Sequence, residues 1–314
     1  MLFSIVIPTY NRAQLLLSLL DSLERLHIPE NTGCEILIVD NNSPDHTREI
    51  VDEFIKRKNM PIHYFFEKKQ GATHARNRGI REVRGEIIAF LDDDETVDKN
   101  WLVALREGFD RFQCVGIGGK VVAKWTSPHP DWYTMEGPFR IVGPTSGHNL
   151  GDDYAKYSLE TPMPSTGNLA VKRECFQKYG CFSTDLGLGP IGNIPGIGDD
   201  TEFCLRLFKG GGKLIYSPKA IVYNVVHKER VTKEYCKSYH FLFGRVQAKI
   251  YEPEEGVRTY GNVPRYLFRE YLEALLSLMG AAVRREKQAR FYYRLRLSRI
   301  SGQIFQLLQQ RQKR

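Results

Sequence analysis

The chain has 314 residues, 42% of them apolar and 26% charged. That length corresponds to about two average domains, and the composition excludes a mainly disordered chain because it supplies ample core material. The six cysteines form no CxxC pair, so they predict neither a disulfide framework nor a zinc site and favour a cytosolic compartment. The apolar run at residues 2–7 is too short for a signal peptide, and no run reaches the ~18 apolar residues of a membrane-spanning helix.

The net charge of +8 is unevenly distributed along the chain. Residues 265–314 contain 12 Lys or Arg and 3 Asp or Glu, a charge of +9, whereas the remaining 264 residues carry a charge of −1. Nucleic-acid-binding domains usually have a basic body. The neutral body therefore argues against nucleic acid as a partner, and the excess basic charge belongs to the C-terminal segment.

Short apolar runs alternate with stretches of helical periodicity in the first hundred residues. The predicted strands cover residues 3–7, 35–39, 62–66 and 87–91. The predicted helices cover residues 13–26 and 47–56, and residues 71–81 are predicted as a loop that enters a helix. This alternation predicts βαβ units and a mainly parallel sheet, an α/β fold. Further strands are predicted at residues 116–122, 168–171, 214–217 and 220–226, with helices starting at 173 and 199. Residues 127–163 and 187–198 lack periodicity, which indicates functional loops or a lid.

The strand at residues 87–91 is followed directly by four acids, Asp92, Asp93, Asp94 and Glu95. Adjacent carboxylates repel one another unless a cation lies among them, and carboxylate oxygens suit a hard divalent ion such as Mg²⁺ or Mn²⁺. In open α/β sheets ligands bind at the carboxyl ends of strands. The alternative is a solvated acidic turn near the start of the next helix.

Three other groups of polar residues also follow predicted strands, at residues 9–12, at residues 40–43 and at His227. Each group alone is compatible with a turn or a helix cap. In a parallel sheet such strand ends meet at one edge. Together with the four acids they therefore predict a single polar site at that edge.

Five motifs resemble, in order, those of the family 2 inverting glycosyltransferases, which have the GT-A fold. They are SIVIPTYNR at 4–12, IVDNNS at 38–43, ARNRG at 75–79, FLDDD at 90–94 and GDDTEF at 198–203. The resemblance implies a Rossmann-like, mainly parallel mixed sheet flanked by helices. It also implies a catalytic domain at residues 1–240, with a nucleotide-sugar half at about 1–115 and an acceptor half at about 116–240, and a basic amphipathic helical extension at 241–314.

The resemblance implies that Asp92 and Asp94 hold Mn²⁺ or Mg²⁺ at the diphosphate of the sugar donor. Asp94 is then the more direct ligand and Asp92 lies nearer the ribose, while His227 either completes the metal shell or is structural. A metal ion stabilises the charge of a diphosphate leaving group without proton transfer. Asp93 belongs to the same donor site without an assigned contact, and Glu95 has no assigned role.

The nucleotide contacts are implied by the same resemblance. Asp40 accepts a base N–H, with Thr9 beside it, and Arg76 contacts the diphosphate or the metal-site carboxylates unless it is an exposed helix arginine. The implied donor-binding set is Pro8, Thr9, Tyr10, Arg12, Asp40, Asn42, Arg76, Asp92 and Asp93. The base is uracil- or guanine-like, and we expect a UDP-sugar rather than a GDP-sugar.

Asp199 and Asp200 occupy the place of the family's Glu-Asp catalytic pair, which implies that Asp200 is the general base. In an inverting displacement the acceptor hydroxyl loses its proton as it attacks the anomeric carbon. Asp199 is shorter than the family's Glu, so the role of this first position stays open. The alternative is a pair of acids favoured by the dipole at a helix start.

Thr166, Gly167 and Asn168 resemble the family's acceptor-side segment, and Trp132 can stack on a sugar or belong to a core. The QxxRW motif of processive synthases is absent from the sequence. This favours transfer of one sugar at a time to a glycan or lipid-linked acceptor in polysaccharide or cell-envelope synthesis. The alternatives are a catalytically silent sugar-nucleotide-binding or scaffold protein, and a nucleotidyltransferase, which would carry a Gly-rich phosphate loop after the first strand.

The C-terminal segment contains two apolar helical faces with basic residues between them. They comprise Leu272, Leu275, Leu276, Met279 and Val283, and Leu297, Ile300, Ile304, Leu307 and Leu308. Basic amphipathic helices predict binding to an anionic membrane, here at the inner, cytoplasmic face. The alternatives are docking on the catalytic domain and formation of a homodimer.

Overall fold

The computed structural model of the protein describes residues 1–57, 61–141, 143, 147–186, 197–250 and 256–311. The chain divides into two compact units. The first comprises Met1–Lys124, Ser146–Gly187 and Asp199–Val225, and the second comprises Trp125–Thr145, Leu188–Gly198 and Val226–Arg314. Most of the predicted loop at residues 187–198 lies outside the described residues.

The first unit is built around one sheet. Its strands are β1 (Leu2–Thr9), β2 (Gly33–Asp40), β3 (Ile62–Phe66), β4 (Ile87–Phe90), β5 (Glu95–Val97), β6 (Gly116–Trp125), β7 (Ala155–Lys156), β8 (Leu169–Lys172) and β9 (Leu214–Val226). The helices are α1 (Ala13–Leu23), α2 (Thr47–Arg57), α3 (Ala72–Glu82), α4 (Trp101–Arg111), α5 (Arg173–Tyr179) and α6 (Asp199–Lys209). Asp45 accepts hydrogen bonds from the backbone N–H groups of Thr47 and Ala13, so it caps the start of α2 and also ties down the start of α1.

The strands follow the order β3-β2-β1-β4-β8-β6-β9-β5, and β7 pairs with β9. β3, β2, β1 and β4 are parallel neighbours, whereas β8 is antiparallel to β4 and β6. Successive residues of a strand point to opposite faces: Phe3, Ile5 and Ile7 join one apolar cluster with α1, and Val6 joins a second cluster with α3. Helices thus cover both faces of a mixed sheet, which confirms the predicted α/β fold class.

Three strands of this sheet differ from the prediction, because β5 and β7 form where no strand was predicted and β9 joins two predicted strands. Residues 214–217 and 220–226, predicted as two strands, form the single strand β9, which runs through Pro218. Proline lacks a backbone N–H and is normally excluded from the middle of a sheet. Pro218 lies between the residues of β9 that pair with β7, 215–216, and those that pair with β5, 222–224.

The second unit is mainly helical. It contains α7 (Lys233–Ile250), the hairpin of β10 (Thr259–Tyr260) and β11 (Val263–Pro264), α8 (Arg265–Val283) and α9 (Lys287–Arg311). α7 and α9 approach closely at Gly244 and Gly302, where a Cβ on either residue would overlap the backbone of the other helix. The predicted domain boundary at residue 240 lies within α7. None of the helices in the described part of the chain combines the length and the hydropathy of a membrane-spanning segment.

Candidate functional site

The predicted polar groups of the first unit meet at one edge of the sheet. Thr9 at the end of β1 is the register partner of Asp40 at the end of β2, and β4 runs parallel to β1 with Phe90 beside Val6. Because these three strands are parallel, the acids that follow Phe90 emerge at the same edge as Thr9. This edge therefore contains the predicted donor site.

Arg12 binds the acidic turn after β4. Its Nη1 lies 2.9 Å from Asp93 Oδ1 and 3.2 Å from Asp94 Oδ2, and the Thr9 hydroxyl donates to Asp93 Oδ2 at 2.9 Å. Burial raises the pKa of Asp93 to about 6, with the charge of Asp94 acting in the same direction and Arg12 opposing it. Asp93, which had no assigned contact, is thus the anchor that joins the end of β1 to the turn.

Arg76 connects this turn to the start of α6. Its Nη2 lies 2.8 Å from Asp92 Oδ1 and its Nη1 lies 3.0 Å from Asp199 Oδ2, which also accepts a hydrogen bond of 2.9 Å from the Thr73 hydroxyl. Thr73 and Arg76 are one turn apart on α3 and so lie on the same face of the helix. The sequence predicts that Arg76 contacts either the donor diphosphate or the metal-site carboxylates, and in the structure it contacts one of those carboxylates, Asp92. The guanidinium is buried, so it is not the exposed helix arginine of the alternative.

Asp200 has a different environment from Asp199. It is partly buried, and its Oδ1 accepts a hydrogen bond of 2.7 Å from the backbone N–H of Thr201. Burial and the charge of Asp199 raise the pKa of Asp200 to about 6, although Arg76 opposes the shift. The carboxylate of Asp199 is thus already bound by Arg76 and Thr73. The raised pKa of Asp200 is the kind expected of a proton acceptor near neutral pH.

Asp40 is buried and holds two hydrogen bonds. Tyr64 donates its hydroxyl to Oδ2 at 2.6 Å, and the backbone N–H of Ser43 donates to Oδ1 at 2.9 Å. A carboxylate has about four acceptor positions, so Asp40 retains capacity for a base N–H. Among its predicted neighbours, Pro8 is buried within β1, whereas Tyr10 and Asn42 are exposed.

Glu95 binds the backbone of the acidic turn through its side chain. Its Oε2 accepts a hydrogen bond of 3.0 Å from the backbone N–H of Asp92, and Asn224 lies 3.4 Å from its Oε1. Burial, followed by the charges of Asp92 and Asp94, raises the pKa of Glu95 well above its usual value. Gly167 packs directly against Glu95, since a Cβ at position 167 would overlap the carboxylate.

We expect Gly167→Ala to destabilise the first unit by about 1–3 kcal/mol, because the added methyl group must displace the buried Glu95 carboxylate. Urea unfolding of the full chain measures this effect. Gly147→Ala is the matched control, since its Cβ would come no closer than 4.0 Å to any other atom. Equal stabilities of the two variants would contradict the tight contact at Gly167.

The other predicted acceptor-side residues, Thr166 and Asn168, are buried. Asn168 accepts a hydrogen bond from the Trp101 indole N–H at 2.9 Å and donates to the carbonyl groups of Lys120 and Ala220. Its amide therefore links four elements of the first unit. A contact between this side chain and an acceptor would require these bonds to break.

The donor chemistry of the acidic turn fits a hard divalent cation. Four carboxylates, those of Asp92, Asp93, Asp94 and Asp199, share two guanidinium groups, those of Arg12 and Arg76, which leaves an excess of negative charge. Within the described residues no group of three or more His, Cys, Asp or Glu side chains could hold a metal ion. Mg²⁺ characteristically takes one or two carboxylates and completes its shell with water and substrate phosphate. Asp92 and Asp94 fit that arrangement.

The remaining predicted residues belong to the second unit. His227 follows β9, and its Nε2 is buried without a hydrogen-bond partner among the described residues. Trp132 packs edge-on against Phe291, with ring centroids 4.8 Å apart, in an apolar cluster that includes Tyr133. The ligand role of His227 and the sugar-stacking role of Trp132 stay predictions.

Three residues of the site are not among those predicted from the sequence. Thr73 binds Asp199, Tyr64 binds Asp40, and Asn224 lies near Asp94 and Glu95. The helical spacing between Thr73 and Arg76 was a usable signal. The other two reach the site through strand pairings distant in sequence, which no local pattern records.

The model of the family described as glycosyl transferase family 2 matches residues 4–180. The succinoglycan biosynthesis protein ExoM of Rhizobium meliloti is 27% identical over 256 residues, which cover 81% of this chain and 77% of ExoM. A glucosyl-dolichyl phosphate glucuronosyltransferase of Haloferax volcanii is 23% identical over 189 residues, which cover 60% of this chain and 57% of that protein.

Solved structures share the fold. The mannosyltransferase PcManGT from Pyrobaculum calidifontis, in complex with GDP-Man and Mn²⁺, has a TM-score of 0.63 and 18% identity, covering 98% of this chain and 87% of PcManGT. Residues 1–349 of TarS from S. aureus, in complex with UDP-GlcNAc, have a TM-score of 0.52 and 17% identity, covering 96% of this chain and 93% of that TarS fragment. The family match spans more than half of the chain, and the fold is that of GT-A enzymes. The chain belongs to glycosyltransferase family 2.

Proposed function

We propose that this chain catalyses the inverting, metal-dependent transfer of one sugar at a time from a nucleoside-diphosphate sugar to a glycan or lipid-linked acceptor. The observation that carries the proposal is the bridge from Asp92 through Arg76 to Asp199. It joins the acidic turn, where a donor diphosphate would bind, to the helix start that presents Asp200. One rigid connection thus supports both the leaving-group side and the proton-accepting side of the reaction.

Asp200 would act as the general base. The acceptor oxygen forms a bond to the anomeric carbon while the bond from that carbon to the diphosphate oxygen breaks, and Asp200 takes the hydroxyl proton. A pKa of about 6 keeps the carboxylate ionised at neutral pH and makes it more basic than an exposed Asp. Asp199 would be a positioning residue, because Arg76 and Thr73 already bind its carboxylate.

On the donor side, Asp92 and Asp94 would hold Mn²⁺ or Mg²⁺. A bound ion supplies charge stabilisation to the departing diphosphate. Arg12 and Thr9 would fix the turn through Asp93, and Asp40 would accept an N–H of the base. We favour a UDP-sugar over a GDP-sugar, with Tyr10 and Asn42 lining the donor site.

The biological setting is proposed by analogy. ExoM is named for succinoglycan biosynthesis, and the Haloferax relative is named for a glucosyl-dolichyl phosphate acceptor. A role in polysaccharide or cell-envelope glycan synthesis is consistent with these names, and we place the acceptors at the cytoplasmic face of a membrane. Thr166, Gly167 and Trp132 would lie on the acceptor side.

We expect a UDP-sugar together with Mn²⁺ or Mg²⁺ to raise the thermal unfolding temperature of the full chain, because a ligand that binds only the folded state stabilises it. At about 100 times its Kd the donor would contribute about 2.7 kcal/mol. Differential scanning fluorimetry with a panel of UDP- and GDP-sugars measures the shift.

Three further measurements make this experiment decisive. EDTA should remove the stabilisation, and Asp94→Asn should weaken it, while Asp21→Asn, an exposed residue of α1, should leave it unchanged. Stabilisation that persists in EDTA would contradict the metal site. Stabilisation without release of nucleoside diphosphate in the presence of glycan acceptors would instead favour a sugar-nucleotide-binding or scaffold protein.

A further inference from the structure

α8 exposes a continuous apolar face. Six large apolar side chains along it are between 37% and 84% exposed: Phe268, Leu272, Leu275, Leu276, Met279 and Val283. At 100° per residue they occupy about 100° of the helix circumference. A water-soluble helix normally buries such a stripe, so this face has the character of a binding surface.

The exposed face is not the one that α8 uses to pack within its unit. Leu267, Ala274 and Ala281, spaced seven residues apart on the opposite side, are fully buried. Leu267 and Ala274 share an apolar cluster with Ile300 and Leu307 of α9. The core contacts of α8 are therefore already made, and its second apolar side is left for another partner.

The two apolar faces of the C-terminal segment have different environments. Leu297, Ile300, Ile304 and Leu307 of α9 pack within the second unit, so they stabilise the fold. The five predicted residues of α8, from Leu272 to Val283, are all exposed. Among the described residues, all five positions of the α8 face are exposed, whereas on the α9 face Leu308 alone is exposed, at 49%.

Basic side chains flank both ends of the α8 face. Arg265 and Arg269 lie in its first turns, and Arg284, Arg285 and Lys287 follow its last turn, all of them exposed. Arg269 pairs with Glu273 and Arg284 pairs with Glu286. Residues 265–287 together carry a charge of +2, within the +9 of residues 265–314. A second copy of the chain would bring like charges together, whereas anionic lipid headgroups would neutralise them.

We infer that α8 lies in the headgroup region of a membrane containing anionic lipids, with its apolar face towards the acyl chains. From residue 268 to residue 283 the face is about 22 Å long, which suits a helix parallel to the membrane plane. The flanking arginines would contact lipid phosphates. This inference specifies the surface for the proposed membrane location and does not depend on the catalytic assignment.

Vesicle co-sedimentation of the full chain tests the inference. We expect binding to equimolar phosphatidylcholine and phosphatidylglycerol, with much weaker binding to phosphatidylcholine alone. Leu272→Ser/Leu276→Ser should lower the partition coefficient at least about tenfold, since two buried aliphatic side chains are lost. Ile28→Ser/Leu159→Ser is the matched control, because both residues are comparably exposed aliphatics in the first unit, and it should bind as the wild type does.

A charge variant separates the electrostatic contribution. Arg284→Gln/Arg285→Gln should weaken binding to the anionic vesicles about tenfold and leave binding to phosphatidylcholine unchanged. Thermal unfolding and stabilisation by the UDP-sugar panel, measured on every variant, show whether the fold and the donor site are intact. If neither the wild type nor any variant bound the donor, that result would count against the proposed function and not against the membrane surface.

Three results would overturn the inference. The wild type could stay in the supernatant with anionic vesicles, or the Leu272/Leu276 variant could bind as well as the wild type. Third, sedimentation velocity without lipid could show that the wild type is a dimer and that the Leu272/Leu276 variant is a monomer. That result would assign the face to a second copy of the chain.

Discussion

Asp200→Asn is expected to abolish sugar transfer while donor binding is retained. Asparagine has the same size but cannot accept the proton of the acceptor hydroxyl, and a general base contributes about 10²–10⁴-fold to the rate. The structure supports a selective effect, because Asp200 takes no part in the bridge from Arg76 to Asp92 and Asp199. Release of nucleoside diphosphate in the presence of acceptor measures turnover, and thermal stabilisation by the donor measures binding.

Asp21→Asn controls for the loss of one carboxylate, since Asp21 is exposed on α1 and is expected to leave the rate unchanged. Asp199→Asn provides a sharper contrast. It should lower turnover and also reduce stability, because Arg76 and Thr73 would lose the carboxylate that they bind. Full activity of the Asp200→Asn variant would refute the assignment of Asp200 as the base.

The pH profile gives a second measure of the same assignment. Only the ionised form of Asp200 can accept a proton, and burial raises its pKa to about 6. Turnover should therefore be constant above pH ~7 and fall about tenfold for each pH unit below ~6. In the Asp200→Asn variant the residual rate should no longer depend on pH in this range. An unchanged pH profile in that variant would mean that another group causes the pH dependence.

The meeting of the acids with Asp40 and Thr9 could be predicted from the sequence because it follows from the sheet. Apolar runs that alternate with helices indicate parallel strands, and parallel strands end at one edge. The final residues of β1 and β2 are neighbours in register. These residues lie together because each of them sits directly at a strand end.

The ion-pair partners could not be predicted in the same way. Arg12 binds Asp93 and Asp94 more than 80 positions away, and Thr73 binds Asp199 across 126 positions. Such pairs depend on the packing of α1 and α3 against the sheet, which periodicity does not specify. Asn168 shows a contact that its motif does not predict. The motif predicts a place on the acceptor side, and in the structure the Asn168 amide links buried elements of the first unit.

The C-terminal helices show a related limit. Hydrophobic periodicity identified an apolar face on each of α8 and α9, and the two faces are equivalent as patterns. Tertiary packing distinguishes them, because all of the α9 face except Leu308 joins the core of the second unit while the α8 face stays exposed. A sequence pattern thus identifies an amphipathic helix but not the surface that covers it.

Arg76→Met is expected to lower the free energy of unfolding by about 3 kcal/mol and to impair turnover. Methionine keeps much of the volume but removes the guanidinium, so the buried carboxylate of Asp199 loses its counter-charge, and breaking a buried pair typically costs about 3–5 kcal/mol. Asp92 is more than a third exposed, so solvent compensates part of its loss. Urea unfolding measures the stability, and donor stabilisation and turnover report on the site.

Arg78→Met is the matched control on the same helix. Arg78 pairs with Glu82 at 2.9 Å, but both side chains are about one-third exposed, so this loss should cost less than about 1 kcal/mol. Arg76→Lys should recover only part of the stability, because a single ammonium cannot span two carboxylates as the planar guanidinium does.

A double-mutant cycle then isolates the pair. If Arg76 acts through Asp199, Arg76→Met combined with Asp199→Asn should be less destabilising than the sum of the single changes, since the neutral amide no longer needs a counter-charge. Additive effects would mean that Arg76 stabilises the helix by packing alone. In that case the acidic turn and Asp200 would be held independently, and the bridge would lose its proposed role in the reaction.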